Sequence, residues 1–420
     1  MKANSIRTEV IAGITTFLTM SYIIFVNPLI LSSDGTGMSF SAVMTGTILA
    51  SFVATLLMGL IAKLPFALAP GMGLNAFFTY TLILDQKIPW EQALGLVFWS
   101  GVVFVILSVT PFREKLVKSI PKNLRMAMAV GIGIFLAFIG LKNTGIIIDH
   151  PVTLVQTAPL SSEGTAVILG FVLIIALFKK NIPGSLLIGI FFTWTLGALF
   201  GKSTLPENFF ATPDFSYFMQ ADILGALKIA YIPSILTLMM TDLFDSLSTF
   251  IGVAETANLK NEKGEIKNMK QALTVDALAT LFSAFFGTST TTTFVESSAG
   301  VSVGGRTGLT SVITAICFLP FLFLAPFAQS IPSYATAPVL IFVGILMFKN
   351  ISSINFEKFE EMIPAFLCIV LIPLSFSITT GIMWGLFVHT ILYIVAGRIK
   401  DLSLTECLLS IVACLYIIFH

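Results

Sequence analysis

Apolar residues form long continuous runs along almost the whole 420-residue chain, and short polar segments separate these runs. A helix needs about 20 mostly apolar residues to cross the hydrocarbon core of a bilayer. The pattern therefore predicts a bundle of fourteen full or partial membrane spans. They are predicted at 8–31, 41–63, 70–84, 91–110, 124–141, 163–179, 184–200, 230–254, 270–287, 294–303, 306–328, 335–349, 361–379 and 380–397.

Composition strengthens this prediction. Hydrophobic residues make up 56% of the chain, charged residues 11%, and the mean hydropathy is +0.96. Soluble domains usually contain about 25% charged residues, so lipid must be the main solvent and no substantial soluble domain is expected. The net charge of +1 gives no reason to expect nucleic-acid binding. The first apolar run is too long for a signal peptide and lacks a small-residue cleavage site, so it is predicted to stay as an anchor.

The basic residues predict an orientation. If the N-terminus is cytoplasmic and fourteen spans follow, 19 of the 23 Lys and Arg residues fall on the inner side. The four on the outer side are Lys87, Lys142, Lys202 and Lys228. Positive charge concentrates on the cytoplasmic side of membrane proteins, so we predict a multi-pass protein of the inner (plasma) membrane. The sequence leaves undecided whether a further apolar stretch, 403–419, crosses the membrane or lies against it.

Fourteen spans divide into two sets of seven, and the second set must then be inverted relative to the first. Inverted repeats are common in secondary transporters. Spans three and ten occupy matching places, and both are short. One starts with a Pro-rich run at 64–70 and the other with a Ser/Thr run at 288–293. Such runs are poor helices, so each is predicted to be a short extended segment that leads into a half-helix. The two segments are expected to pair as antiparallel strands and to mark a binding site.

Four carboxylic acids lie within predicted spans: Asp242, Asp245, Asp276 and Glu296. A charge in the bilayer costs about 2.5–3.5 kcal/mol on insertion scales, and no Lys or Arg is expected at mid-depth to pair with them. A buried carboxylate without a cation tends to take up a proton. The acids therefore indicate coupling to a proton or another cation, or a ligand rich in N–H donors. A bridging or capping role is the competing interpretation for each of them, and a structural role is preferred for Asp276.

Further candidate residues surround these acids. Asp242, Ser246 and Thr249 share one helical face, and Asp245 can support that face. Asn75 stands at a half-helix start, where its amide can donate and accept together or close a local turn. Phe294 is an aromatic neighbour that can stack on a flat ring, although most Phe residues only pack. Gly71, Gly73 and Thr293 are supporting candidates. The four cysteines form no CxxC pair, so no metal site, disulfide framework or cofactor is predicted.

Three segments resemble a known family. The run APGMGLNAFF at 69–78 is similar to the third-span motif of the AzgA-like hypoxanthine/guanine/adenine permeases. The segment 287–310, which contains TFVESSAGV and GGRTGLT, resembles their tenth-span signature, and TDLFD at 241–245 resembles their eighth span. These permeases belong to the nucleobase–ascorbate (xanthine/uracil) permease superfamily, and the similarity extends over nearly the whole chain.

The resemblance implies an all-α polytopic fold of 7+7 inverted repeats with a core and a gate domain. It implies core segments at 1–110 (spans 1–4) and 222–330 (spans 8–11). Gate segments are implied at 111–221 (spans 5–7) and 331–400 (spans 12–14), and 401–420 is an extra apolar segment. By position, Asp242 matches the family's eighth-span acid, Glu296 its tenth-span acid and Asn75 its third-span amide.

The resemblance also implies import of purine nucleobases by proton symport, with no enzymatic activity. Asp242, Glu296, Asn75 and Phe294 are then the expected base contacts, and Asp242 and Glu296 the expected proton-coupling residues. A uracil or xanthine carrier of the same superfamily is the alternative, and an anion carrier sharing the fold is a weaker one because no intramembrane Lys or Arg is found. The preferred purine, proton against sodium coupling, and the oligomeric state, with a homodimer as one option, stay open.

Overall fold

The computed structural model describes residues 5–110, 121–202, 206, 208–257 and 268–419. Seven of the basic residues behind the predicted orientation lie outside these ranges, so the orientation stays a prediction. They are Lys2, Arg113, Lys115, Lys118, Lys260, Lys263 and Lys267.

The described chain is mostly helical. In the first half the helices are α1 (Ile6–Met20), α2 (Ile23–Leu31), α3 (Phe40–Leu57), α4 (Met72–Ala76), α5 (Trp90–Val109), α6 (Lys122–Asn143), α7 (Ser162–Lys179) and α8 (Ser185–Leu199). In the second half they are α9 (Ile232–Ala257), α10 (Met269–Phe286), α11 (Ser297–Val303), α12 (Gly308–Phe318), α13 (Ala325–Gln329), α14 (Ser333–Phe348), α15 (Phe359–Ser375), α16 (Ile378–Val395) and α17 (Leu404–Phe419). The strands are β1 (Leu68–Pro70), β2 (Ile147–His150), β3 (Leu154–Thr157) and β4 (Thr291–Thr293).

Each of the fourteen predicted spans coincides with a helical segment to within a few residues. Span one is α1 followed by α2, and span two is α3 extended by a π-helical turn, Met58–Ala62. Span three is α4 extended by a π-helix, Phe77–Asp85. Among the described residues, seven helical segments are long and apolar enough to cross a bilayer on their own. The predicted polytopic all-helical fold is therefore confirmed.

Helix α7 shows how the surface meets lipid. Only 28% of its most apolar 18-residue window is buried in the protein. Ile168, Leu169, Val172 and Ile175 are all exposed on it. An apolar face of this kind is stable in hydrocarbon and not in water, as the composition requires.

The predicted strand pair is also confirmed. β1 and β4 run antiparallel, and Leu68, Ala69 and Pro70 lie opposite Thr293, Thr292 and Thr291. Each strand leads into a short helix, α4 after β1 and α11 after β4. Both halves of the chain therefore place a strand and a half-helix at the third position, and the two strands meet inside the protein.

Two features were not predicted as they stand. β2 and β3 form an antiparallel hairpin in the connection between α6 and α7, where only a loop was expected. The 403–419 stretch forms α17, which packs along α16 with the Tyr416 hydroxyl 3.2 Å from the Thr380 hydroxyl. At 16 residues, α17 is shorter than a usual spanning helix. The division into core and gate domains stays a prediction.

Candidate functional site

The β1–β4 ribbon lies among helices, so the outward-facing amide and carbonyl groups of both strands need partners other than water. Thr55 of α3 closes one outer edge, because its hydroxyl lies 2.9 Å from both the amide nitrogen and the carbonyl oxygen of Leu68. Ser246 of α9 closes the other edge by accepting a 3.2 Å hydrogen bond from the Thr293 amide. Two hydroxyl side chains thus allow an isolated two-stranded ribbon to exist inside a helical bundle.

Glu296 stands at the start of α11, directly after β4, and is half-buried. Its carboxylate accepts a 2.8 Å hydrogen bond from the Tyr22 hydroxyl, at the break between α1 and α2. Phe294 is buried beside them, with its ring centre 6.4 Å from that of Tyr22. Among the described residues, the Tyr22 hydroxyl is the only side chain of another span that donates to this carboxylate, which therefore keeps accepting capacity for a ligand.

Asp245 lies on α9, next to the ribbon. Its side chain is exposed, yet its carboxylate is 3.4 Å from the hydroxyl of the buried Thr292 on β4. Open space therefore reaches the ribbon at this point, and a carboxylate there is expected to face a polar environment because its contact with lipid is costly. Asp245 also lies close enough to Glu296 and Tyr22 to act on both electrostatically. The two acids therefore border one accessible region.

Asp242 points elsewhere. It is completely buried, and its Oδ2 accepts a 2.5 Å hydrogen bond from Thr280 of α10. Asp276, also completely buried, lies one turn before Thr280 and accepts a 3.2 Å hydrogen bond from Thr293. The two acids that lie between α9 and α10 are thus separated from solvent in this conformation, whereas Asp245 is not.

Asn75 is fully buried and its amide is used within the protein. Its side-chain oxygen accepts a hydrogen bond from the Ser289 hydroxyl, and its amide nitrogen lies 3.5 Å from the Pro70 carbonyl oxygen. The side chain therefore joins the start of α4 to the segment that enters β4. These contacts match the second of the two roles considered for Asn75, the closing of a local turn. They also connect the segments that lead into α4 and β4.

The supporting residues divide by what they touch. A Cβ added to Gly71 would lie 2.6 Å from the Thr292 side chain, so a glycine is needed beside β4. A Cβ on Gly73 would lie 2.5 Å from Ile132 of α6, which shows how closely α4 approaches that helix. Thr249 is buried one turn beyond Ser246. The Ser246 hydroxyl is 2.8 Å from that of Thr292.

Three residues that contact a ribbon strand or a site acid were not among the predicted site residues: Tyr22, Thr55 and Thr280. The signals were weak, because one Tyr or Thr in an apolar run is ordinary. Asn27 offered a clearer one, as an amide followed by Pro28 inside span one. Its Nδ2 donates to Thr47 and Thr288, at 2.7 and 2.9 Å, and so fixes α2 to α3 and to the start of the Ser/Thr run.

Chemically, the site offers carboxylates, hydroxyls and half-helix ends. The part of the chain that the structure describes contains no group of three or more His, Cys, Asp and Glu residues that could hold a metal ion. None of the ion pairs between described residues involves the four intramembrane acids. Interrupted spans that place two half-helices and intramembrane acids inside a helical bundle are typical of a secondary membrane transporter.

Comparisons with known proteins agree with this class. A model described as a permease family, Xan_ur_permease, matches residues 7–384, so the chain belongs to that family. A putative permease of Methanocaldococcus jannaschii is 44% identical, with 99% of this chain and 95% of the relative covered. The adenine permease AdeP of Escherichia coli is 41% identical (98% and 93% covered), and the guanine/hypoxanthine permease PbuO of Bacillus subtilis is 40% identical (95% and 94% covered).

Solved structures support the fold alone. The transmembrane domain of the cyanobacterial bicarbonate transporter BicA superposes with a TM-score of 0.70 at 15% identity, and 92% of this chain and 98% of that one are covered. SLC26A9 gives a TM-score of 0.68 at 11% identity, with 93% and 66% covered.

The nucleobase transporter PlAzg2 of Paenibacillus larvae is 37% identical over 384 residues, in agreement with the resemblance of this chain to the AzgA-like permeases. The chain is a membrane permease and not an enzyme.

Proposed function

We propose that this permease imports purine nucleobases, the class that includes adenine, hypoxanthine and guanine, by proton symport. The observation on which this rests is a pair of acids that are at least partly exposed beside the ribbon: Glu296 at the start of the half-helix α11 and Asp245 next to β4. A purine presents ring and exocyclic N–H donors along one edge, and a carboxylate accepts such hydrogen bonds more strongly than a neutral group does. The names of relatives that are about 40% identical over nearly the whole chain, adenine and guanine/hypoxanthine permeases, support the same class.

In this proposal Glu296 is the main base contact, held in place by Tyr22, and Asp245 is a second acceptor at the wet side of the cavity. Phe294 lies where one face of a planar ring would pass. Asn75 acts through the backbone, because it fixes the two half-helices that frame the base. Asp242 is assigned to the proton, since its carboxylate is shielded from the accessible region.

The carboxylates also argue against the alternatives. An anion carrier would place a cation at the half-helices, but the accessible charges there are negative. A uracil or xanthine permease would need the same donors and acceptors, so only the relatives and the 69–78 motif favour a purine. Substrate competition distinguishes the two within one assay.

The test is uptake of radiolabelled adenine, hypoxanthine, guanine, xanthine and uracil into cells without their own base carriers, with and without a protonophore. We expect saturable purine uptake that collapses with the proton gradient. Glu296→Gln is expected to abolish both binding and uptake while the protein still inserts. Asp242→Asn is expected to abolish accumulation. Glu357→Gln and Asp85→Asn, made at exposed positions, are the matched controls. If well-inserted protein transports no base, or if both site variants accumulate purines normally, the proposal is wrong.

A further inference from the structure

Asp242 of α9 and Asp276 of α10 lie diagonally across the contact between the two helices, close enough to interact electrostatically. Thr280, one helical turn after Asp276, donates its hydrogen bond to Asp242. Ser246, one turn after Asp242, lies beside Asp276. The four residues therefore form a small quadrilateral between the two helices, with one acid at each of two opposite corners. Both carboxylates are completely buried.

The hydrogen bonds of this pair are incomplete. One oxygen of each acid has a hydroxyl partner, Thr280 for Asp242 and Thr293 for Asp276. The other oxygens, Asp242 Oδ1 and Asp276 Oδ2, are buried and have no hydrogen-bond partner among the described residues. Leaving a buried polar oxygen unsatisfied costs about 1–3 kcal/mol, and more if it is charged. These two oxygens therefore need a ligand that the hydroxyls do not supply.

No cation of the described chain supplies it. The other charged group that acts on both acids is Asp245, which is also negative. Arg125, on the packed neighbour α6, has its guanidinium 5.3 Å from the centre of the Phe244 ring instead. α3, β4 and α11 contain no ionisable residue, and in α5 the only one is Glu91, in the first turn. Two close carboxylates without a cation cannot both stay ionised in a medium of low dielectric.

We propose that Asp242 and Asp276 share one proton and together form the coupling site of this permease, separate from the base contacts at Glu296. One carboxyl of the pair holds the proton while the pair is shielded, and the proton leaves to the cytoplasm when α9 and α10 expose the pair. This inference rests on the proposed symport function and adds Asp276, a residue on a different helix, as the second half of the proton site.

β4 provides a physical link between the two sites. Thr293 contacts Asp276, while the preceding Thr292 contacts Ser246 and Asp245. A base that binds at Glu296, directly after the strand, shifts the same short ribbon that donates to the proton site. Since β4 has only three residues, we expect a displacement at its Glu296 end to move the hydroxyls that contact the two acids.

The experiment uses the full chain in proteoliposomes with the membrane potential held at zero. In wild type, an outside-acid gradient of one pH unit supports about tenfold accumulation of a purine if one proton moves with each base. Asp276→Asn leaves one carboxylate in the pair. The pair then has the single negative charge that the wild-type pair has when it holds the shared proton. We expect accumulation to fall to about onefold, while exchange of labelled for unlabelled purine across the membrane continues. Asp242→Asn should give the same result, and the double variant should lose no more coupling than either single one, because the two acids act as a unit.

Asp85→Asn is the control, because this acid is exposed and remote from the pair. Two results would overturn the shared-proton site. One is a tenfold accumulation of purine by Asp276→Asn. The other is a double variant whose loss of accumulation equals the product of the losses in the two single variants. Accumulation in wild type that follows a sodium gradient at fixed pH would also overturn it. If Asp276→Asn does not fold, Asp276→Glu replaces it, because this variant keeps a carboxyl group. Asp276→Glu must then still accumulate purine in response to the pH gradient, whereas folded Asp242→Asn must not. Absence of any purine exchange in wild type would instead refute the proposed function, and this inference with it.

Discussion

Thr55 provides the sharpest test of how the ribbon is maintained inside the membrane. Its hydroxyl lies 2.9 Å from the Leu68 amide nitrogen and 2.9 Å from the Leu68 carbonyl oxygen, and all three groups are buried. Thr55→Val keeps the shape of the side chain and removes both hydrogen bonds. Each buried backbone group left without a partner costs about 1–3 kcal/mol, so the sum is about 2–6 kcal/mol.

The measurement is the free energy of unfolding of purified protein in mixed micelles, together with purine uptake by cells with equal amounts of inserted protein. Ser51→Ala is the matched control, one turn earlier on α3, because its hydroxyl donates only to the Thr47 carbonyl of its own helix at 2.7 Å. We expect the control to cost less than about 1 kcal/mol, since that carbonyl already accepts a helical hydrogen bond. Thr55→Ser keeps the hydroxyl and should retain most of the stability.

Equal stability of Thr55→Val and Ser51→Ala would refute the reasoning. It would mean that the outer edge of β1 finds another partner, such as water from the cavity beside Asp245. A loss of stability without a loss of uptake would show instead that the ribbon is needed for folding and not for the geometry of the site.

Two further predictions concern the half-helices. Tyr22→Phe removes the hydrogen bond that holds Glu296, worth about 1.5–3 kcal/mol for a charged acceptor. The KM for the purine should rise about tenfold or more, whereas Tyr217→Phe, in the connection between α8 and α9, should leave it unchanged. An unaltered KM in Tyr22→Phe would show that Glu296 needs no positioning. Gly73→Ala places a methyl group against Ile132, 2.5 Å from its Cγ2 in the present geometry. Transport should slow several-fold at normal expression, and Ile132→Ala in the same chain should restore it; failure of this rescue would contradict a steric cause.

The class of protein and its helices followed from local properties of the sequence. Apolar runs of spanning length have few stable states other than membrane helices, because the backbone must satisfy its own hydrogen bonds in lipid. The same rule explains why the Pro-rich run at 64–70 and the Ser/Thr run at 288–293 could be recognised as interruptions. Neither forms a good helix, so each had to find a partner within the protein.

Residue roles were only partly predictable. The four intramembrane acids could be singled out because an acid in an apolar span is costly wherever it points, with Asp242 and Glu296 predicted as the contacts to the base and Asp245 as a supporting residue. Which acid faces solvent could not be told, because Asp242 and Asp245 are three residues apart on one helix and their surroundings come from other spans. Tyr22, Thr55 and Thr280 were invisible for the same reason, since a hydroxyl in an apolar run gains meaning only from its partner.

The sequence by itself therefore determined that lipid surrounds the chain, where the spans lie, and that the runs at 64–70 and 288–293 interrupt two of them. All three depend on hydrophobicity and backbone preference within about 20 residues. Only the tertiary structure decided that Thr55 and Ser246 close the ribbon, that Asn75 bonds to Ser289, and that Asp242 and Asp276 are both buried between α9 and α10. These contacts join residues that are 13 to 214 positions apart. They depend on how helices pack, which no local pattern encodes.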